Sequence, residues 1–133
     1  MPFAPAMIAQ GTGVLSAVSS VLGFFAVPGR SPYCASKAAV HAFMNGLRMD
    51  LHGTGVHAMT FCPGYVRTPL TAAYKKMLFA VDVDEAVRIM ATAVERRVRT
   101  VTFPWQMCVL KEFLRRAPEA VVRRVGPPPR DEE

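Results

Sequence analysis

Tyr33 and Lys37 stand four residues apart. On a helix that spacing puts both side chains on one face. A phenol ordinarily titrates near about pH 10, too high for useful proton transfer at neutral pH. An ammonium held beside it favours the phenolate and turns the pair into a usable general acid or base. Ser20 lies thirteen residues before Tyr33, at the end of the apolar run Val14 to Ser20. A hydroxyl at the C-terminal edge of a parallel sheet faces the crevice where α/β proteins take ligands, and it can donate to a carbonyl oxygen there. The combined chemistry is proton transfer at a carbonyl or alcohol oxygen. Each feature alone also has an ordinary reading. A Tyr-x-x-x-Lys pair can simply decorate a helix surface, and a strand-end serine can satisfy backbone groups.

Those residues need elements to hold them. Val14 to Ser20 reads as a short buried parallel strand. Gly23 to Pro32 is a loop marked by Pro28, Gly29 and Pro32. A helix follows over 33–51, with Pro32 where no amide donor is needed. Its apolar face is expected at Ala35, Ala38, Ala39, Ala42, Phe43, Gly46 and Leu47, with Val40 and Met44 on another side. Val56 to Cys62 is a second strand, turned out by Pro63-Gly64, which alone could be no more than a turn. Residues 69–80 read as a short helix or loop. Asp82 and Asp84 are candidate caps for a helix over 84–98, with Ala86, Val87, Met90 and Val94 inward. Thr100 to Phe103 is a third strand ended by Pro104. Helices over 106–116 and 119–125 follow, and 3–10 reads as one more helical segment. The alternation predicts an α/β fold with a parallel sheet. A single domain over 1–125 and a disordered polar tail over 126–133 are expected.

Composition removes several classes of function. The chain has 133 residues, 51% of them hydrophobic, so it can build a packed core. Net charge is +6, but residues 84–133 mix ten Lys or Arg with eight Asp or Glu. That is a solvated, mixed surface, and no nucleic-acid partner is expected. Cys34, Cys62 and Cys108 are too widely spaced for a zinc site or a disulfide framework, which fits a reducing cytoplasm. His41, His52 and His57 form no ligand cluster with them, so no metal is expected. The first 29 residues carry no charge, yet glycines and serines interrupt them before a membrane span's length is reached.

Ser19-Ser20-x-x-Gly23 followed by Tyr33-Cys34-Ala35-Ser36-Lys37-Ala38-Ala39 resembles the active-site signature of the short-chain dehydrogenases/reductases. Cys62-Pro63-Gly64-Tyr65-Val66-Arg67-Thr68-Pro69 resembles the loop after that family's sixth strand. The resemblance covers about residues 5–103. It implies the C-terminal part of a Rossmann-like, doubly wound parallel sheet with three strands retained, and it places 3–10 at the tail of the helix before the serine's strand. By the same resemblance Ser20, Tyr33 and Lys37 are catalytic. Ser20 would polarise the substrate oxygen, Tyr33 would pass the proton, and Lys37 would support Tyr33 and hold the nicotinamide ribose. Tyr33, Lys37, Pro63, Gly64, Val66 and Thr68 would contact NAD or NADP. The substrate would be a small alcohol or carbonyl compound, an apolar one if Phe24, Phe25, Tyr65, Leu70, Tyr74 and Met77 line its pocket. The C-terminal helix with Trp105, Leu110, Phe113 and Leu114, then Arg115 and Arg116, would cap the pocket, join an oligomer or touch a membrane. A full-length relative would be a homodimer or tetramer.

The resemblance also implies a missing part. The family's glycine-rich phosphate turn, the residue that selects between the cofactors and an asparagine before the serine's strand have no counterpart here. Gly11-Thr12-Gly13 reads as the turn into that strand. Two readings follow: a truncated NAD(P)-dependent oxidoreductase, or a non-catalytic fragment that pairs with longer relatives. The 133-residue chain is expected to bind NADH or NADPH more weakly than a dissociation constant of order micromolar, because the pyrophosphate grip is the larger anchor. Calorimetric titration with both reduced cofactors checks this, and a micromolar constant would contradict it.

Overall fold

The computed structural model describes residues 3–74 and 76–125. Helix α1 (Ala4–Gln10) leads into strand β1 (Gly13–Val18), a 3₁₀ turn (Val21–Gly23) and the long helix α2 (Ser31–Asp50). Strand β2 (Val56–Pro63) is followed by the two-residue strand β3 (Val66–Arg67), a 3₁₀ turn (Pro69–Thr71) and the equally short β4 (Val81–Asp82). Helix α3 (Val83–Glu95), strand β5 (Thr100–Phe103) and helices α4 (Trp105–Arg116) and α5 (Glu119–Val125) complete it. The expected tail over 126–133 lies outside the described residues.

The sheet has the order β1-β2-β5, all parallel. Gly13 pairs with Val56 and Val18 with Phe61, while Thr60 to Pro63 pair with Thr100 to Phe103. Strand β2 is therefore central, which is why Met59, Phe61 and Cys62 are nearly inaccessible. Helices cover the two faces differently. Met44 of α2 and Leu51 just after it pack with Val56 and Ala58, joined by Met7 of α1 and Leu15 and Ala17 of β1. On the opposite face Met59 and Phe61 pack with Ala93 and Met90 of α3. Alternation along β1 and β2 sends neighbouring side chains to opposite layers, as a strand's two-residue period requires.

Three expectations need correction. The side of α2 that faces the sheet carries Cys34, Met44 and Leu47, with Val40 beside them; Ala35, Ala38, Ala39, Ala42 and Phe43 are exposed. On α3, Ala86, Ile89, Met90 and Ala93 point inward, while Val87 and Val94 are exposed. Asp82 does occupy the N-cap position of α3, but it makes no cap hydrogen bond. Its carboxylate takes the Arg67 guanidinium at 3.0 Å across the β3–β4 pair. That small second sheet was not expected, because two-residue strands carry no periodic signal.

Met59 has no exposed surface and sits in the central strand. Met59→Ala should lower unfolding free energy by about 2–5 kcal/mol through lost burial and a residual cavity. Met49→Ala, on the exposed side of α2, should change it by less than about 0.5 kcal/mol. Urea unfolding of both variants checks the pair.

Candidate functional site

The site begins where β1 ends. Ser19 and Ser20 lie just past the strand and are both buried. The Ser19 amide donates to the Phe61 carbonyl at 2.7 Å, continuing the pairing with β2 by one step. Its hydroxyl donates to the Lys37 carbonyl at 2.9 Å. Ser20 caps the following 3₁₀ turn: its Oγ accepts the Leu22 amide at 3.2 Å. With a lone pair so engaged, the Ser20 hydroxyl proton remains to be donated outward.

Helix α2 supplies the other two residues. It starts at Ser31, with Pro32 in its first turn, so Tyr33 and Lys37 lie near its N-terminal end. Tyr33 is 44% exposed. The Lys37 Nζ stands 5.7 Å from the centre of the Tyr33 ring. That ammonium donates to the Val18 carbonyl at 3.2 Å. One turn further along, His41 Nε2 lies 3.2 Å from the Ser20 carbonyl oxygen and 3.8 Å from the Cys62 sulfur. Its ring packs on Phe24 at 4.2 Å between centroids. A Cβ on Gly23 would fall 2.4 Å from the His41 ring, so this position has no room for a side chain.

The loop after β2 brings the remaining residues. The Gly64 amide donates to the Phe103 carbonyl at 2.8 Å. A Cβ on Gly64 would meet the Met107 side chain at 2.8 Å, so the close approach that glycine allows here is taken by α4. The Thr68 amide donates to Thr71 Oγ1 at 2.9 Å, and the two hydroxyls are 3.2 Å apart.

Ser20, Tyr33, Gly64 and Val66 open on one cavity of about 380 Å³. That is within the usual range for small-molecule sites, about 300–1,000 Å³. Lys37, Pro63 and Thr68 are not in its lining. Of the expected substrate residues, Phe25, Tyr65, Leu70 and Tyr74 do line it, whereas Phe24 and Met77 do not. Phe24 instead stacks on His41 and lies 4.4 Å beneath the Lys111 ammonium. Met107, Leu110 and Leu114 of α4 close one side, so among the described residues this helix caps the cavity. Trp105, Val109 and Phe113 point to solvent. A larger, open groove of about 810 Å³ runs along β5 between α3 and α4 and contains none of Ser20, Tyr33 or Lys37.

Ser19 and His41 are neighbours of the site that motif reading did not single out. Ser19 stood in the motif, but only its position after a strand end signals the bond to α2. His41 has the i+4 spacing from Lys37, which puts it on the same helix face.

A family model described as short chain dehydrogenase matches residues 2–78. The chain belongs to the short-chain dehydrogenase family. An uncharacterized oxidoreductase of Myxococcus xanthus is 41% identical over 106 residues, 79% of this chain and 42% of that protein. A short-chain dehydrogenase of Burkholderia cenocepacia, solved with NADP, superposes with a TM-score of 0.77 at 25% identity, over 90% of this chain and 49% of its own. A gluconate 5-dehydrogenase of the same organism, solved with NADP and tartrate, gives 0.65 at 27% identity, over 80% and 49%. The chain thus spans less than half the length of these three relatives. The parallel sheet and its flanking helices are the family's Rossmann-like fold. Among the described residues no helix is long and apolar enough to cross a membrane, and no group of His, Cys, Asp and Glu could hold a metal.

Two groups beside the site have displaced acidities. Burial pushes the Tyr65 phenol up, with the Arg30 charge pulling the other way. Burial pushes the Cys62 thiol from 9.0 up to about 12, partly offset by Lys111. The folded state therefore favours the neutral thiol. Its contribution to stability is complete below about pH 9 and is lost as pH rises towards about 12, where the unfolded chain ionises first. Urea unfolding of the parent and of Cys62→Ala at pH 8 and pH 10 should show the parent losing more stability between those values. Equal losses would contradict the assignment.

Proposed function

We propose that this chain carries the catalytic half of an NAD(P)-dependent oxidoreductase that interconverts an alcohol and a carbonyl compound. The observation that carries the reading is the meeting of Ser20 and Tyr33 on one cavity, with Lys37 beside the Tyr33 ring. Ser20 donates its hydroxyl proton to the substrate oxygen, since its lone pair is held by the Leu22 amide. Tyr33 delivers a proton to that oxygen in reduction and removes one in oxidation. Lys37 holds its ammonium beside the Tyr33 ring, on the same helix face.

The residues present suit the nicotinamide end of the cofactor. Among the described residues the Lys37 ammonium donates to one carbonyl, Val18, leaving N–H groups for ribose hydroxyls. Pro63, Gly64 and Val66 would form the wall beside the ring, and Thr68 would lie near the carboxamide or phosphates. When bound, the nicotinamide supplies or accepts the hydride. NADP in both Burkholderia relatives supports NAD or NADP as the partner molecule. The uncharged cavity walls from Phe25, Leu70, Leu110 and Leu114 suit an apolar substrate body.

The test is reduction of a panel of ketones and aldehydes by the chain at millimolar NADH or NADPH, followed by loss of reduced-nicotinamide absorbance. Tyr33→Phe should slow it about 10²–10⁴-fold, the usual worth of a positioned acid or base. Turnover that survives Tyr33→Phe, or none with any carbonyl, overturns the proposal.

A further inference from the structure

Among the described residues, the cavity that holds Ser20 and Tyr33 has one charged residue in its lining, Arg30, and no carboxylate. Arg30 comes three residues before Tyr33, at the N-cap position of α2. Its backbone is fixed at both ends: the amide donates to the Val27 carbonyl at 3.2 Å, and the carbonyl accepts the Cys34 amide at 2.9 Å. Its side chain is steered by Tyr74, whose hydroxyl accepts from Nη1 at 3.0 Å. The guanidinium carbon lies 5.1 Å from the Tyr74 ring centre, and Tyr65 stands 6.2 Å from Tyr74 ring to ring. Aromatic walls thus hold a half-buried cation in place.

Among the described residues no acid balances it. The five ion pairs among the described residues do not include Arg30. The first acidic residue of the sequence is Asp50, so the whole segment that builds this end of the cavity is free of carboxylates. A guanidinium has five N–H donors, and one neutral phenol oxygen uses only one of them. A cation turned towards apolar surface without a counter-ion is costly unless something anionic completes it. A planar fork of donors is the group best matched to a carboxylate or similar oxyanion.

We infer that Arg30 is an anion subsite, and that the substrate is an oxo acid or hydroxy acid with an apolar body. This rests on the cavity being the substrate site, as proposed above. The anion would sit on Arg30 near the α2 N-terminus, the reacting oxygen would reach Ser20 and Tyr33, and the apolar body would lie against Leu70, Leu110 and Leu114. An uncharged ketone would fill the same walls but leave the guanidinium unpaired. Discrimination then comes from one charge-assisted contact that the neutral analogue cannot make.

The experiment compares 4-phenyl-2-oxobutanoate with 4-phenyl-2-butanone, which share an apolar body and a ketone but differ in the carboxylate. Both are titrated into the 133-residue chain at low salt, and binding is read from backbone amide shifts by NMR. The oxo acid should bind about ten- to a hundredfold more tightly than the ketone. Arg30→Met should remove that preference, and Arg30→Lys should keep part of it. Equal binding of the two ligands overturns the anion subsite while leaving the cavity reading intact. A preference that survives Arg30→Met also overturns it, since another cation would then be responsible. Binding of neither ligand overturns the cavity as a substrate site and the inference with it.

Discussion

Three hydrogen bonds join the C-terminal end of β1 to the first half of α2, and the geometry of the site depends on them. The Ser19 hydroxyl reaches the Lys37 carbonyl, the Lys37 ammonium reaches the Val18 carbonyl, and His41 lies against the Ser20 carbonyl. Each is modest, about 0.5–1.5 kcal/mol as a neutral bond and more where a charge takes part. Their value lies in what they fix. Ser20 lies just past a strand, Tyr33 and Lys37 lie near the start of a helix, and the loop between them contains Pro28 and Gly29. Such a loop does not set distances. The direct bonds make the strand end and the helix one rigid piece, so the loop's shape matters little to the relation between the three side chains.

That same seam explains the make-up of α2. Its C-terminal half packs Met44 and Leu47 on the core with Leu51, as an amphipathic helix should. Its N-terminal half turns Cys34, Lys37 and His41 towards the end of β1 and β2, where the partners are backbone carbonyls and a buried thiol. Polar residues on the inward side weaken the apolar period. The alanine-rich side then looked like the buried one, although Ala35, Ala38, Ala39 and Ala42 are exposed. A helix that serves a site along half its length and a core along the other half breaks the simple pattern.

Other parts of the molecule were legible for clear reasons. The strands Gly13–Val18, Val56–Pro63 and Thr100–Phe103 lie within one or two residues of the expected runs, because parallel strands buried on both faces are continuous apolar segments. The joint positions of Ser20 and Tyr33 were readable because a strand end and a helix start are both marked in sequence. The β3–β4 pair was not, since its energy comes from a long-range pairing and the Arg67–Asp82 contact fifteen residues apart. Nor was Arg30, whose significance is that no acid stands beside it among the described residues. A motif records what is present, and only a cavity shows what is missing from its walls.

The cavity has its present shape because α4 leans on the loop after β2. The Gly64 amide is tied to the Phe103 carbonyl at the end of β5, and α4 starts two residues later. That tie brings Met107 into the space a side chain at position 64 would fill. Met107 and Leu114 are then buried, whereas Trp105, Val109 and Phe113 on the opposite side of the same helix are exposed. Sequence left three roles open for this helix, because amphipathicity says that one side is covered and not by what. The glycine accounts for the covered side. A residue without a Cβ next to a flexible methionine lets the helix approach the site closely, and Met107, Leu110 and Leu114 line the cavity through that approach. The start of α2 thus gives the cavity Arg30 and Tyr33, α4 gives it Met107, Leu110 and Leu114, and the loop after β2 gives it Gly64 to Val66.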